Sequence, residues 1–486
     1  MLFLFLCVSF ATWYYLCFPG VYYGDNAQIL AESFPESGIG DQHSVLYTWL
    51  LRQCHYFFGF GVGYPFIGGL LMWHLGAGFV AFTLIKCGHN VIGFGAVLVL
   101  TWFPPVTFAM PHLQLKDFTM SAAFLAAMGF FAAVATNPKG APSLILLSGL
   151  FFYIGLSLRH NAIFAILPVV GFCTMTLLRR FDQIRRLSVW QLRAAVFSVS
   201  TIALVVVYGA KSKIDSAMGD YKNYFIHGSI FSFDLCGMSV LEDSMLLPKE
   251  RLMDGIDLSD LKRVFRHKGW DPLWGGWNSE KRILKGGENY EEYLAQRQLW
   301  MHTIVKFPGR YVEHRWKHFR RFLDVRNEYV RIGAWPKGQA WRITYSIMPD
   351  YMQGGSLTKI PPDAFEIRNL DRLTKIEDIQ VGMMLHKGGR WLFGKYPYLV
   401  LASLFLGIIL AFLLNKYSYS KSQPLLAVSM LCFTSGISYL IAYMVVSISS
   451  DWRYIHWSFL STYLGFLFLL PNLGSIARDR IGIPRR

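Results

Sequence analysis

Charge is scarce in this chain of 486 residues, and negative charge is scarcest. Charged residues make up 16% of it, against about a quarter in a soluble domain. The 47 lysines and arginines outnumber the 31 acids, for a net charge of +16. Residues 211–396 take 30 of the basic and 23 of the acidic residues, leaving 17 and 8 for the other 300. So little charge excludes a soluble cytosolic enzyme and a disordered chain. Cysteine is thin as well. The seven cysteines are scattered without a CxxC spacing, which excludes a disulfide scaffold and offers no zinc or redox motif. Glycine-rich nucleotide-binding motifs, internal repeats and low-complexity tracts are all missing from the sequence.

Apolar residues are what the chain has in quantity, at 53%. A spanning helix needs about 20 of them in succession. Ten stretches qualify, roughly 2–19, 65–85, 91–110, 118–136, 143–158, 161–178, 194–210, 397–415, 424–447 and 456–472. The expected fold is an α-helical integral membrane protein of about ten transmembrane helices. Residues 2–19 read as the first of these rather than as a signal peptide, because no basic residue precedes them and no small-x-small site follows. Only Arg159, His160 and Asn161 separate the fifth and sixth stretches. An arginine buried in mid-helix is costly, so a tight turn near the interface is expected there.

Lysine and arginine in short loops set the orientation. With a cytoplasmic N-terminus, 13 of the 17 basic residues outside 211–396 are cytoplasmic, and Arg52, Lys116, Arg159 and Arg453 remain outside. The net charge is therefore a signature of membrane orientation, and nucleic acid is not an expected partner. Residues 1–210 form an N-terminal transmembrane module with a first external loop at 20–64. Residues 211–396 form a large, mixed but mainly helical extracytoplasmic domain, and 397–486 the C-terminal transmembrane helices. Within the domain, 299–323 shows two helical patterns parted by Pro308 and Gly309, while 270–277 and 336–341 read as loops. Aromatic residues suit this domain to a place near lipid headgroups. Cys54 and Cys236 are the two external cysteines, and a disulfide between them is one option.

Charges at the ends of spans need a reason. Lys116 and Asp117 open the fourth span, Arg159 and His160 divide the fifth from the sixth, and Asp451-Trp452-Arg453-Tyr454 precedes the tenth. Asp25 follows the first span within a few residues. All lie on the external face, so a bundle can bring them to one cavity. Arginine and lysine there suit a phosphate delivered from the lipid, and a carboxylate opposite suits the deprotonation of a hydroxyl. The plainer alternative makes each set an interfacial ion pair or a snorkelling charge. In the first external loop two short amphipathic segments, 26–34 and 44–58, flank a turn at 35–40 and are expected to lie along the interface. His74 and His89 have no ligand partner at helical spacing and read as structural.

The loop, with Gly24-Asp25-Asn26 and then Asp41-Gln42-His43-Ser44, resembles that of the GT-C superfamily of membrane glycosyltransferases. That superfamily carries an acid after the first span and then a D-x-H-P-P-like motif; here Ser44 and Val45 stand in place of the prolines. Leu115-Lys116-Asp117, Leu158-Arg159-His160-Asn161-Ala162, Asp451-Trp452-Arg453-Tyr454 and Phe307-Pro308-Gly309-Arg310-Tyr311 with Glu313-His314-Arg315 resemble further motifs of bacterial members that use polyprenyl-phosphate sugars. Phage-type O-antigen glucosyltransferases are similar in size and layout. The resemblance implies an inverting transfer from a polyprenyl-phosphate-linked sugar to a glycan or lipid acceptor such as O-antigen or lipopolysaccharide. It implies a bacterial inner membrane, with the active site facing the periplasm and membrane lipids as neighbours. Asp25 is then the general base, or else an N-cap for the helix beginning at Asn26. Asp41 and His43 position the acceptor or the loop. Arg159, Arg453 and Lys116 bind the donor phosphate with His160 and Tyr454, and Asp117 and Asp451 support them. No cofactor is required. A divalent metal is considered, because Asp25, Asp41 and His43 offer suitable ligand atoms, although no spacing demands one. The competing readings are a transporter or flippase of lipid-linked sugars, which needs polar residues recurring in mid-span, and an oligosaccharide transferase of the same fold.

Overall fold

The computed structural model describes residues 1–18, 29, 32–34, 38–40, 43–58, 63–102, 116–137, 142–178, 188–218, 221–222, 225, 227–275, 281–285, 289–323, 387–417, 423–449 and 452–481, and every structural statement concerns these. They are almost wholly helical. In the first half lie α1 (Leu2–Cys17), α2 (Val45–Phe58), α3 (Tyr64–Lys86), α4 (Asn90–Trp102), α5 (Lys116–Thr136), α6 (Pro142–Leu158), α7 (Ile163–Leu178) and α8 (Val189–Ala217). Then follow α9 (His227–Glu242), α10 (Leu258–Val264), α11 (Tyr290–Lys306), α12 (Pro308–Leu323), α13 (Lys387–Tyr417), α14 (Gln423–Val446) and α15 (His456–Ile481). Five helical segments are long and apolar enough to cross a membrane: Tyr64–Lys86, Lys116–Thr136, His160–Leu178, Val189–Ala217 and Gln423–Val446. Each of the ten apolar stretches falls on a helix, though α4 ends at Trp102 and residues 103–115 lie outside the description.

Helix α5 is the hub. Six of its seven alanines, with Ser121 and Gly129, are buried, as expected of a helix apolar all round. Small residues let the backbones close in. A Cβ at Gly76 of α3 would lie 2.6 Å from the Ala126 backbone nitrogen, and one at Gly129 would lie 2.9 Å from the Gly76 carbonyl oxygen. Serine hydroxyls add bonds between helices: Ser148 donates to the Ala127 carbonyl at 2.9 Å, Ser435 to Ala165 at 2.6 Å and Ser429 to Gly465 at 2.7 Å.

Three local expectations are corrected. Helix α8 runs seven residues past the boundary set at 210, because Lys211 and Asp215 pair one turn apart and carry the helix on. Asp271–Trp274 is a 3₁₀ turn rather than loop. Leu273 is fully buried there, and its carbonyl accepts from the Ile283 and Leu284 amides at 2.9 and 3.0 Å. Cys54 and Cys236 are both free thiols. The break between α11 and α12 falls at Phe307, just before Pro308, where a proline suits the first helical turn. Residues 336–341 lie outside the description.

Helices α9 to α12 gather around their own core of Phe233, Leu235, Met238, Leu261 and Phe265. This unit is fastened to the chain between α14 and α15. The Trp270 amide donates to the Ile448 carbonyl at 3.0 Å, and Gly269 bridges to Ser449. Ile39–Gly40 (β1) pairs in parallel with Tyr221–Lys222 (β2), joining the first loop to the segment after α8.

The packing predicts a contrast between two glycines. Gly76→Val should cost about 1–3 kcal/mol through overpacking, lowering the thermal unfolding midpoint of the purified chain. Gly95→Ala, where an added Cβ meets nothing within 4 Å inside a helix, should leave the midpoint unchanged or raise it, because alanine favours the helix over glycine by up to about 1 kcal/mol.

Candidate functional site

The start of α5, the α6–α7 junction, the start of α2 and the 452–455 turn meet at one end of the bundle. Arg159 sits between α6 and a 3₁₀ turn at His160–Ala162 with extended backbone, φ −146° and ψ 135°. The expected turn is therefore present, and it frees the guanidinium from either helix. Nη2 lies 2.5 Å from the Asp117 carboxylate and donates to Oδ2. Asp117 is 1% exposed and stands in the first turn of α5, where the helix dipole favours an anion. Asp117 Oδ1 lies 2.5 Å from Arg159 Nη2, and the buried Arg159 Nε has no hydrogen-bond partner among the described residues.

The guanidinium carbon of Arg159 stands 4.4 Å from the centre of the Tyr454 ring, a cation–π contact. Tyr454 stacks on Tyr443 at 5.9 Å, and the Tyr443 and Tyr439 hydroxyls are 3.0 Å apart. The arginine is thus held in plane by α14 and the 452–455 turn, and in charge by α5. Lys116, beside Asp117, reaches the other way: its Nζ donates to His43 Nδ1 at 2.7 Å, both side chains being buried. An ammonium needs an acceptor, so this imidazole carries its proton on Nε2. Next to His43, Ser44 Oγ donates to the Ser157 carbonyl at 2.9 Å and accepts from the Tyr47 amide at 3.1 Å. One residue therefore caps α2 and pins it two positions before Arg159.

Of the residues singled out in the sequence, Lys116, Asp117, His43, Arg159 and Tyr454 come together. His160 has its ring 6.2 Å from that of His227, at the start of α9. Asp25, Asp41 and Asp451 lie outside the described residues. Arg453 lies in the Trp452–Ile455 turn, with its side chain outside the description. The pairing of Asp117 is with Arg159, across the bundle, and not with its neighbour Lys116. Among the described residues no group of three or more metal-ligating side chains forms. His74 is structural: it bonds the Ser9 hydroxyl at 3.0 Å and the Leu70 carbonyl at 2.9 Å.

Two polar clusters carry little signal in the sequence. Lys211 and Asp215 form a buried ion pair on α8. In the outer unit Asp234, wholly buried, accepts from Trp300 Nε1 at 2.8 Å and Arg315 Nη2 at 2.7 Å, and bonds His314 Nε2 at 3.1 Å. Arg315 also donates to the Ser447 carbonyl at 2.6 Å. His318 bonds the His267 carbonyl at 2.6 Å. Burial pushes Asp234 up, but Arg315, His314 and Trp300 outweigh it and hold the carboxyl below its ordinary value. Burial lowers His314, His267 to about 4 and His318 to about 3. The Glu313-His314-Arg315 motif was visible in the sequence. Its partner Asp234 was not, because a lone acid 80 residues upstream carries no pattern.

No family model matches the chain, and no curated protein or solved structure is significantly similar to it.

The depressed histidines make the outer unit acid-sensitive. They are neutral when folded, and they protonate near pH 6.5 when unfolded. Stability should therefore fall as pH drops from about 6.5 toward 4, by about 1.4 kcal/mol per pH unit for each proton taken up. Asp234 adds its own loss only below about pH 4. Hydrogen exchange of amides 231–239 and 311–319 in the full chain, corrected for intrinsic rate, should rise between pH 6.5 and 4.5. A flat profile contradicts this.

Proposed function

We propose that the chain is a multi-pass membrane glycosyltransferase that moves a sugar from a polyprenyl-phosphate carrier to a glycan or lipid acceptor on the external side of a bacterial inner membrane. The observation that carries this reading is the Arg159–Asp117 pair. It is a partly buried guanidinium, 15% exposed, held by a buried carboxylate and an aromatic face, with an Nε–H that no described protein atom accepts. A charge withdrawn from water costs several kcal/mol unless it is well paired. A phosphate oxygen is the acceptor that an arginine fork suits. In this reading the ten helical stretches each cross the membrane, the positively charged loops lie inside, and the Arg159 end of the bundle faces out.

The chemistry follows from the charges. The bond between the anomeric carbon and the carrier phosphate breaks, and the phosphate leaves with the bonding electrons. Arg159 stabilises the charge that grows on it. Tyr454 keeps the guanidinium plane from turning, and Lys116 fixes the tautomer of His43 at the acceptor side. Asp25 takes the acceptor proton as the hydroxyl attacks from the opposite face, which inverts the anomeric centre. An ordinary aspartate is a weak base near neutrality, but the proton need leave only as the new bond forms. Arg453, on the same turn as Tyr454, extends the phosphate site.

The test is transfer of labelled sugar from a polyprenyl phosphate by purified protein in lipid, with membrane extracts as acceptor. Asp25→Asn should abolish transfer while leaving donor binding in place. The charge-neutral pair Arg159→Gln with Asp117→Asn should raise the donor KM at least about tenfold, the loss of one charge-assisted contact. Wild-type turnover in the first variant removes Asp25 as base. An unchanged donor KM in the second removes the phosphate role of Arg159.

A further inference from the structure

Helix α12 has two unlike sides. Its inward side carries His314, Arg315, His318 and Phe319, all buried. Its outward side presents Val312 (56% exposed) and Trp316 (48%), with Arg320 one turn further on. A large indole left outside on a helix with a buried opposite side is a surface that asks for a partner. The basic residues on this side are Arg310, Lys317, Arg320 and Arg321, against the single acid Glu313. Glu313 is already engaged by Arg310 and Lys317. Arg320 and Arg321 form no ion pair among the described residues. Their place in the last turn complements the helix dipole. Trp316, tilted against Phe319 at 6.2 Å, still leaves about half of its surface open, as does Val312.

The level of the helix identifies the partner. Phe319 and Leu323, on the final turns of α12, belong to the same apolar cluster as Val400 and Leu404 of α13 and Tyr439 and Leu440 of α14. The C-terminal end of α12 therefore reaches the apolar helices, and Trp316 and Arg320 stand outward at that height. A tryptophan with arginines one turn further on, at the margin of an apolar bundle, matches a phospholipid headgroup layer, with the indole at its depth and the guanidinium groups at its phosphates. We propose that the outward side of α12 docks on anionic phospholipid headgroups of the external leaflet, through Trp316, Val312, Arg320 and Arg321. This rests on the membrane placement proposed above but not on the sugar-transfer chemistry.

Hydroxyl-radical footprinting of the full chain in nanodiscs tests it, with discs of phosphatidylcholine alone and discs containing one third phosphatidylglycerol. Tyr290, exposed at the opposite end of α11, reports the radical dose. Oxidation of Trp316 should fall at least threefold in the anionic discs. That protection should disappear in the variant R320Q/R321Q and weaken in high salt, which screens exposed charges. Equal Trp316 oxidation in the two compositions overturns the proposal, as does protection that survives in R320Q/R321Q. Failure of the chain to enter discs of either composition overturns the membrane placement as well. Loss of sugar transfer alone bears on neither.

Discussion

The ion pair between Arg159 and Asp117 is the constraint around which this end of the molecule is arranged. Two opposite charges taken out of water cost several kcal/mol each, and they regain it only when geometry and further hydrogen bonds are good. The chain meets that demand from four directions. The carboxylate stands at the start of α5, the arginine lies in a break between α6 and α7, a tyrosine comes from the 452–455 turn, and α2 is pinned to the end of α6 by Ser44. No element in this set is free to move without disturbing the charge pair. A buried pair is weak evidence for stability in itself. Here it gathers at one place the residue types that phosphate chemistry uses.

A second clamp works at longer range. Arg315 joins Asp234 of the outer unit to the Ser447 carbonyl, and the Trp270 amide holds the next carbonyl along. Six residues further on, the same short connection delivers Tyr454 to Arg159. The outer unit is thereby tied to the segment that positions the guanidinium. Gly237 makes the clamp geometrically feasible, because a Cβ there would occupy the space of the His314 ring. The histidines of this cluster sit uncharged beside Arg315, and burial is the reason they do.

Much of the fold was legible because apolar length is a local property. The stretches that suit a membrane coincide with helices, the charged break at Arg159 appears as an extended residue, and the helix break beside Pro308 falls one residue before the proline. The charged span ends were legible as a set for the same reason. What the sequence did not disclose is who pairs with whom. Asp117 chooses Arg159, 42 residues away, over the adjacent Lys116, because neighbours on a helix point in different directions. Lys116 finds His43 across 73 residues, and Asp234 finds Arg315 across 81. Such choices depend on how helices pack, which periodicity does not encode. The length of α8 and the 3₁₀ turn at Asp271–Trp274 were missed for a related reason: each is decided by a side chain finding a buried place.

The claim on which everything else turns is that a lipid-borne phosphate seats against Arg159. Native mass spectrometry of the purified chain with polyprenyl phosphate and with the matching polyprenol measures this directly. The account predicts retention of the phosphate and loss of at least tenfold in affinity for the alcohol, with the discrimination abolished when Arg159 and Asp117 are replaced together by Gln and Asn. Equal retention of the two lipids by the unaltered chain would contradict it.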